Sequence, residues 1–302
     1  MTAEPPPVLS SLDECAKQVA AWEAAGDEVA CVPTMGALHR GHLALVDRAR
    51  DVADRVVVSI FVNPLQFGRG EDFDRYPRTL ESDLPSLAGR GVDAVLVPSV
   101  PDIYPDWPDT QTTEDPGVVG TLFEGASRPG HFAGMLTVVR RLIEGVGAKQ
   151  WVFGEKDAQQ LFLVRQMVAN LGLPAVIHSV PTVRDPDGLA LSSRNQYLSA
   201  TEREQARALS RELEILERAL HDLPAWTADS VRTAVASGRE HLLHSPGVAL
   251  DYLEAVSPES FSPVSDPVGS AVQLIVAAKV GSTRLIDQRL VHRQETGSSA
   301  AQ

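Results

Sequence analysis

The chain has 302 residues, 43% of them hydrophobic and 22% charged, an ordinary globular composition and a length that suits two domains, one larger than the other. A formal net charge of -13 argues against a broad nucleic-acid-binding surface, so an anionic ligand must meet a local positive site. No stretch approaches the ~20 apolar residues of a membrane span, no basic-then-apolar leader opens the chain, and Cys15 and Cys31 are too few for a disulfide framework or a zinc site; the expectation is a cytoplasmic protein without a membrane partner.

Residues 1–8, with Pro5, Pro6 and Pro7, read as a loose arm. A helix is predicted from Ser11 to Ala25, ended by Gly26. The apolar run Val29 to Val32 then stops at Pro33, and a small-residue turn leads to His39 and His42, which flank Arg40 and Gly41 before the amphipathic segment Leu43, Leu45, Val46 and Ala49. That is a strand, a tight loop and a helix start. In an open α/β sheet such a junction lies at the carboxyl edge of the strands, where the helix N-terminus attracts phosphate. The two histidines, three apart, can lean over that spot from one side, and Gly41 lets backbone approach a ligand. The bland alternative is one surface and one packed histidine at a helix cap. Arg55 to Val62 is nearly all apolar and β-branched, a strand covered on both faces, and completes a βαβ unit.

That second strand ends in Asn63-Pro64-Leu65-Gln66, which puts two amides on the same edge. Amides donate and accept without charge and so suit a small hydroxylated or carboxylated substrate. Asn63 is read equally as a turn cap before proline. Asp72, Asp74, Glu81 and Asp83 surround a helix start at Thr79; they are either solvated acids or include one ligand of a phosphate-bridged magnesium ion. After a strand at Ala94 to Val97, the Pro- and Asp-rich stretch 98–117 reads as a long surface excursion.

Arg128 and His131 precede an apolar helix and either reach an anion or form a helix entry with subunit contacts. Trp151 to Phe153 is a short buried strand, followed by Gly154, Glu155, Lys156, Asp157, Ala158, Gln159 and Gln160 and a helix through Leu171. Lys156 there can pair with phosphate as a compact charge, and Gln160 sits one turn into the helix. After a strand at Ala175 to His178, Pro181 to Asp187 reads as a hinge, and Leu191, Ser192, Ser193 and Arg194 form either an ordinary turn or an anion clamp. Helices at Thr201 to His221 and Thr227 to His244 and strands at Ala249 to Ala255, Val272 to Val280 and Thr283 to Ile286 make a small α+β domain, a lid or platform. The tail after Val291 is polar and expected to fray.

Five blocks now stand in order: Pro33 to His39 with Gly41-His42; Phe61 to Pro64 with Gln66-Phe67; Arg128 to Phe132; Phe153 to Asp157 with Gln159-Gln160; and Ser192 to Asn195 with Tyr197-Leu198. Together they resemble the pantothenate synthetase family over nearly the whole chain, whereas His-x-Gly-His alone resembles the wider nucleotidylyltransferase superfamily. The resemblance implies a Rossmann-like parallel-sheet domain over residues 1–181, a smaller α+β lid domain over 182–291, a flexible tail over 292–302, and a homodimer. It implies Mg²⁺-dependent condensation of pantoate with β-alanine at the expense of ATP. It assigns the ATP site to Met35, Gly36, Ala37, Leu38, His39, Arg40, Gly41, His42, Gly154, Glu155, Lys156, Asp157, Val183, Leu191, Ser192, Ser193 and Arg194. His42 is the implied proton donor, and His39, Lys156 and Arg194 are the other groups suited to neutralising phosphate charge. Gln66 and Gln160 would hold pantoate with Asn63 beside them, Gln66 would also help place β-alanine, and Asp83 matches a position associated with the metal. Arg40, Ala158 and Gln288 depart from the family pattern. The rival readings are a nucleotidylyltransferase that leaves AMP on its product and a non-catalytic nucleotide- or RNA-binding module.

Overall fold

The computed structural model describes residues 4–293. They divide into two units, one ending at Val183 and also taking Leu191–Ser193, the other built from Arg184–Ala190 and the chain from Arg194 onward. The first contains β1 (Val8–Leu9), α1 (Leu12–Ala24), β2 (Val29–Thr34), α2 (Arg40–Val52), β3 (Arg55–Ile60), α3 (Leu80–Leu87) and β4 (Ala94–Leu96). It continues through α4 (Val100–Ile103), α5 (Glu124–Ser127), α6 (His131–Val146), β5 (Gln150–Gly154), α7 (Ala158–Leu171) and β6 (Val176–Val180).

The strands form a six-stranded sheet in the order β1-β4-β3-β2-β5-β6, every pair parallel. Residues alternate between its two faces. Cys31, Val57, Leu96, Trp151 and Phe153 pack with α1 and α6 residues on one side, while Ala30, Val32, Val56, Val58 and Val152 pack with Leu45, Val46 and Ala49 of α2 on the other. Sequence order runs one way from β2 through β3 to β4 and the other way from β2 to β5 and β6. The reversal between β2 and β5 opens the crevice in which ligands of such sheets bind, beyond the strands' carboxyl ends.

Two segments differ from the sequence reading. The start is not a loose arm throughout, because Pro6 is buried, the Pro7 carbonyl accepts from the Val95 amide at 2.9 Å, and Val8–Leu9 pairs with β4. An edge strand needs bonds on one side only, which tolerates preceding prolines. The excursion over 98–117 is not all surface: Ile103 and Tyr104 are buried, Tyr104 completely.

The second unit contains α8 (Ala200–His221), α9 (Ala228–Leu243), β7 (Val248–Val256), β8 (Ala271–Val280) and β9 (Thr283–His292). Its sheet runs β7-β8-β9, all antiparallel. β9 extends past the expected Ile286 because Asp287 and Gln288, polar in sequence, are buried with partners. Arg184 Nη1 and Nη2 donate to Asp287 at 2.6 and 2.9 Å, and Gln273 donates to Gln288 Oε1 at 2.5 Å. The boundary between the units, Val183 to Arg184, falls within the expected hinge, and on its second-unit side Asp185 and Asp187 accept from Arg203 at 2.6 and 2.9 Å. Of the expected tail, His292 ends β9 and the Arg293 amide donates to Ser270 at 2.8 Å, while 294–302 lie outside the described residues. Among the described residues no helix is long and apolar enough to cross a membrane.

Removing one partner of a half-buried ion pair leaves the other charge uncompensated, so Asp287→Ala is expected to destabilise the second unit by ~3–5 kcal/mol. Urea unfolding checks this, and Asp287→Asn, which still accepts from Arg184, should cost less.

Candidate functional site

β2 delivers the first half of the site. At its end Thr34 Oγ1 donates to the Ser59 carbonyl at 2.8 Å and accepts from the Gly36 amide at 3.2 Å. Gly36 has φ +81°, and a Cβ there would lie 3.1 Å from Ile60 and 3.2 Å from Asp83, so only glycine fits. Ala37 follows at φ +49°, a left-handed conformation that costs a residue with a Cβ roughly 1–2 kcal/mol. Asp83 of α3, 3% exposed, holds this turn in place. Its carboxylate accepts from the amides of Ala37 and Leu38 at 3.0 and 2.9 Å and from the Thr79 hydroxyl at 3.1 Å.

This anchoring role stands beside the expectation, from the family resemblance, that Asp83 lies at a position associated with the metal. Oδ1 accepts one of these bonds and Oδ2 the other two. Among the described residues no group of three or more His, Cys, Asp or Glu is placed to hold a metal. A magnesium ion bridged by nucleotide phosphates needs only one or two protein carboxylates.

The turn ends in paired imidazoles. His39 caps α2, with Nδ1 accepting from the Gly41 amide at 3.2 Å, and His42 Nδ1 accepts from the His39 amide at 3.3 Å. The rings stack at 4.0 Å between centroids, 27° apart in plane. With each Nδ1 an acceptor, each neutral ring carries its proton on Nε2, giving two neighbouring N–H donors. Burial, then the neighbouring His39 and Lys156, lower the His42 pKa to about 3. His42 is therefore neutral near pH 7. Gly41 leaves room for these rings: a Cβ there would sit 2.9 Å from His39 Cε1.

β5 delivers the second half. Gly154 leads into one tight helical turn, Glu155–Asp157, whose Glu155 accepts from Ser179 of β6 at 2.8 Å. Lys156 lies 3.9 Å from Asp157 and close enough to His42 to disfavour its protonation. Gln160, half-buried on the first turn of α7, has no side-chain partner among the described residues. Gln159 beside it is structural, donating to the carbonyls of Val119 and Leu122 at 2.8 and 2.9 Å. Leu191 donates its amide to the Val183 carbonyl at 3.0 Å, and Ser193 donates its hydroxyl to the Ala37 carbonyl at 3.2 Å, which brings 191–193 to the first turn. Arg40 is exposed. Arg194 belongs to the second unit.

β3 delivers the amides. Asn63, expected beside the substrate, is 1% exposed and fully occupied within the protein. Its Nδ2 donates to Gln66 Oε1 and the Gly134 carbonyl, both at 3.1 Å, and its Oδ1 accepts from the Leu65 amide at 3.2 Å and the Tyr104 hydroxyl at 2.7 Å. A saturated carboxamide has nothing left for a ligand. The turn-cap reading of Asn63 is borne out, its side chain accepting from the Leu65 amide at the start of the turn Pro64–Gln66. Gln66 Nε2 lies 3.1 Å from Met35 Sδ, which joins the amide pair to the histidine turn. Arg128 and His131 also turn inward. Arg128 forks onto Glu71 at 2.7 and 2.8 Å, and His131 Nδ1 donates to the Gln66 carbonyl at 2.9 Å. Burial, then Arg128, lower the His131 pKa to about 4. Tyr104 was hidden in a polar stretch, its one signal the apolar pair Ile103-Tyr104.

The family model for pantoate-beta-alanine ligase matches residues 7–290. The chain belongs to the pantoate-beta-alanine ligase family. It is 49% identical over 284 residues to the pantothenate synthetase of Leifsonia xyli subsp. xyli, covering 94% of this chain and 96% of that protein. The crystal structure of pantothenate synthetase from Thermus thermophilus superposes with a TM-score of 0.81 at 45% identity, covering 94% and 98% of the two chains. The pantoate-beta-alanine ligase of Francisella tularensis, complexed with beta-gamma ATP and beta-alanine, superposes with a TM-score of 0.75 at 33% identity, covering 94% and 97%. The two histidines, Lys156, Gln66 and Gln160 all fall inside the region matched to the pantoate-beta-alanine ligases.

If Asp83 anchors the turn, Asp83→Asn must set an amide N–H against one of the backbone amides. Leaving one donor unmatched costs ~1–3 kcal/mol, so ATP should bind roughly tenfold or more weakly. Steady-state KM for ATP measured over a range of Mg²⁺ concentrations checks it: the loss should persist at high Mg²⁺, whereas a metal-ligand role predicts recovery.

Proposed function

We infer that this chain is an AMP-forming ligase that condenses (R)-pantoate with β-alanine, using ATP and producing pantothenate, AMP and pyrophosphate. The observation that carries the reading is the 3.1 Å approach of Gln66 to Met35, which sets an amide suited to a small acid against the turn whose imidazoles are coupled to Lys156. An acid site and a triphosphate site beside one another are what adenylation needs. The Francisella relative, complexed with beta-gamma ATP and beta-alanine, supports the same substrates here.

In the first step a pantoate carboxylate oxygen attacks the α-phosphorus of ATP and the bond to the β-phosphate oxygen breaks, releasing pyrophosphate. In the second the unprotonated amine of β-alanine attacks the acyl carbon, the bond to the adenylate oxygen breaks, AMP leaves, and the amine proton passes to solvent. No enzyme nucleophile is required. The protein's part is to hold the reactants in line and stabilise charge developing on phosphate. We assign that part to the Nε2–H groups of His39 and His42 and to Lys156, with Arg194 added on the family resemblance. Gln66 and Gln160 hold pantoate. Mg²⁺ enters this reading as a counterion held by the ATP phosphates and water. The homodimer and the partition into a nucleotide domain, 1–181, and a lid, 182–291, rest on the resemblance, and the cytoplasmic location rests on the sequence reading of the chain.

Pantoate-dependent exchange of labelled pyrophosphate into ATP without β-alanine tests the first step; absence of exchange, or AMP that stays on the product when β-alanine is added, would sink the reading. Losing a preorganised donor at a phosphate typically costs ~10²–10³ in rate, so Lys156→Ala and His42→Ala should each lose that much exchange with the fold intact by circular dichroism. A neutral His42 acts through its N–H, which a glutamine amide can partly replace. His42→Gln should therefore retain about tenfold more activity than His42→Ala; equal losses would indicate a proton-transfer role instead.

A further inference from the structure

Four hydrogen bonds fix the Asn63 carboxamide, and three of its partners are backbone groups or Gln66 itself. The fourth is the Tyr104 hydroxyl, at 2.7 Å the shortest of the set. Tyr104 is fully buried, and its ring is held by Phe61 at 6.2 Å, Trp107 at 6.5 Å and the Arg141 guanidinium at 5.3 Å. Arg141 is itself tied back, donating to the Ile103 carbonyl at 2.9 Å. Burial raises the Tyr104 pKa well above its usual value, so the group stays a hydroxyl that can donate.

The bonds run in one direction. Tyr104 donates to Asn63 Oδ1, Asn63 Nδ2 donates to Gln66 Oε1, and Gln66 Nε2 points to Met35 Sδ. Rotating the Gln66 amide by half a turn would set its NH₂ against the NH₂ of Asn63. That clash fixes which atom Gln66 can offer a ligand. Nε2 has two hydrogens, and the contact to Met35 engages one of them. Met35 is a weak sulfur acceptor and leaves the other free.

We propose that Tyr104 is a positioning residue that acts through Asn63 to hold Gln66 with an N–H toward the substrate, so that this end of the acid site selects a hydrogen-bond-accepting oxygen. The proposal deepens the functional reading above and rests on it, the oxygen being one of pantoate's. Tyr104 touches no reacting atom. Its loss changes how often Gln66 is correctly oriented, and the effect belongs to pantoate binding rather than to ATP.

A double-mutant cycle on Tyr104→Phe and Asn63→Ala, read as KM for pantoate and for ATP separately, tests it. Tyr104→Phe keeps the ring and removes only the hydroxyl; KM for pantoate should rise about tenfold, as expected for one lost buried hydrogen bond, with KM for ATP within about twofold of the parent. In the Asn63→Ala background the same change should add nothing. Asn63→Asp, which accepts from Tyr104 but cannot donate to Gln66, should match Asn63→Ala, and it replaces that variant if the alanine unfolds. An unchanged pantoate KM in Tyr104→Phe, an equal rise for ATP, or an effect of the same size in both backgrounds would overturn the proposal. Pyrophosphate exchange by the unaltered chain is measured first: its absence sinks the functional reading, and the proposal with it, whereas exchange with no pantoate-specific shift sinks the positioning role alone.

Discussion

Parallel pairing of β2 with β3 on one side and β5 on the other is the constraint on which the rest of the first unit depends. It forces three strand ends onto one edge and makes the chain leave β2 and β5 at the point where strand order reverses. Residues 39 and 156 are far apart in sequence, yet the pairing of Cys31 with Trp151 places their turns side by side. The sheet is continuous and covered on both faces, so its edge is a rigid platform for the loops that carry chemistry.

Most polar groups on that edge are already engaged by the protein. Asp83 holds amides, Asn63 is saturated, His131 and Arg128 hold the backbone of Gln66, and Gln159 holds the carbonyls of Val119 and Leu122. Each would be costly to bury unpaired and is inexpensive once paired. Their combined effect is to orient a smaller set suited to a ligand: two imidazole N–H groups, Lys156, one Gln66 hydrogen and the Gln160 amide. A site that binds a polyanion in an acidic protein gains from this arrangement, because backbone amides and neutral imidazoles bring positive dipoles without adding full charges that must be desolvated.

The three residues expected from the resemblance to depart from the family pattern fall at differing depths. Arg40 opens α2 from an exposed position, where it adds charge beside the histidine turn. Ala158 begins α7 half-buried. Gln288 is the one set in a core, its amide oxygen accepting from Gln273 within the small sheet, so a change there acts on the packing of the second unit.

The sequence by itself determined the longer elements and the family. Periodicity and punctuation gave α1 with Ser11 at its start, the buried strands β2, β3 and β5, and the long helices α6 to α9, because each is set by short-range pattern. Block order gave the histidine turn, Lys156 and the two glutamines. Only the tertiary structure decided what each polar residue touches. Asp83 was placed near the metal by the family resemblance and Asn63 was read equally as a turn cap and a substrate neighbour; folding brings Ala37, Leu38 and Tyr104 against them from 41 to 46 positions away. Tyr104 and the end of β9 were illegible for the same reason: burial of a polar group is permitted by its distant partner, and a partner distant in the chain leaves no local mark.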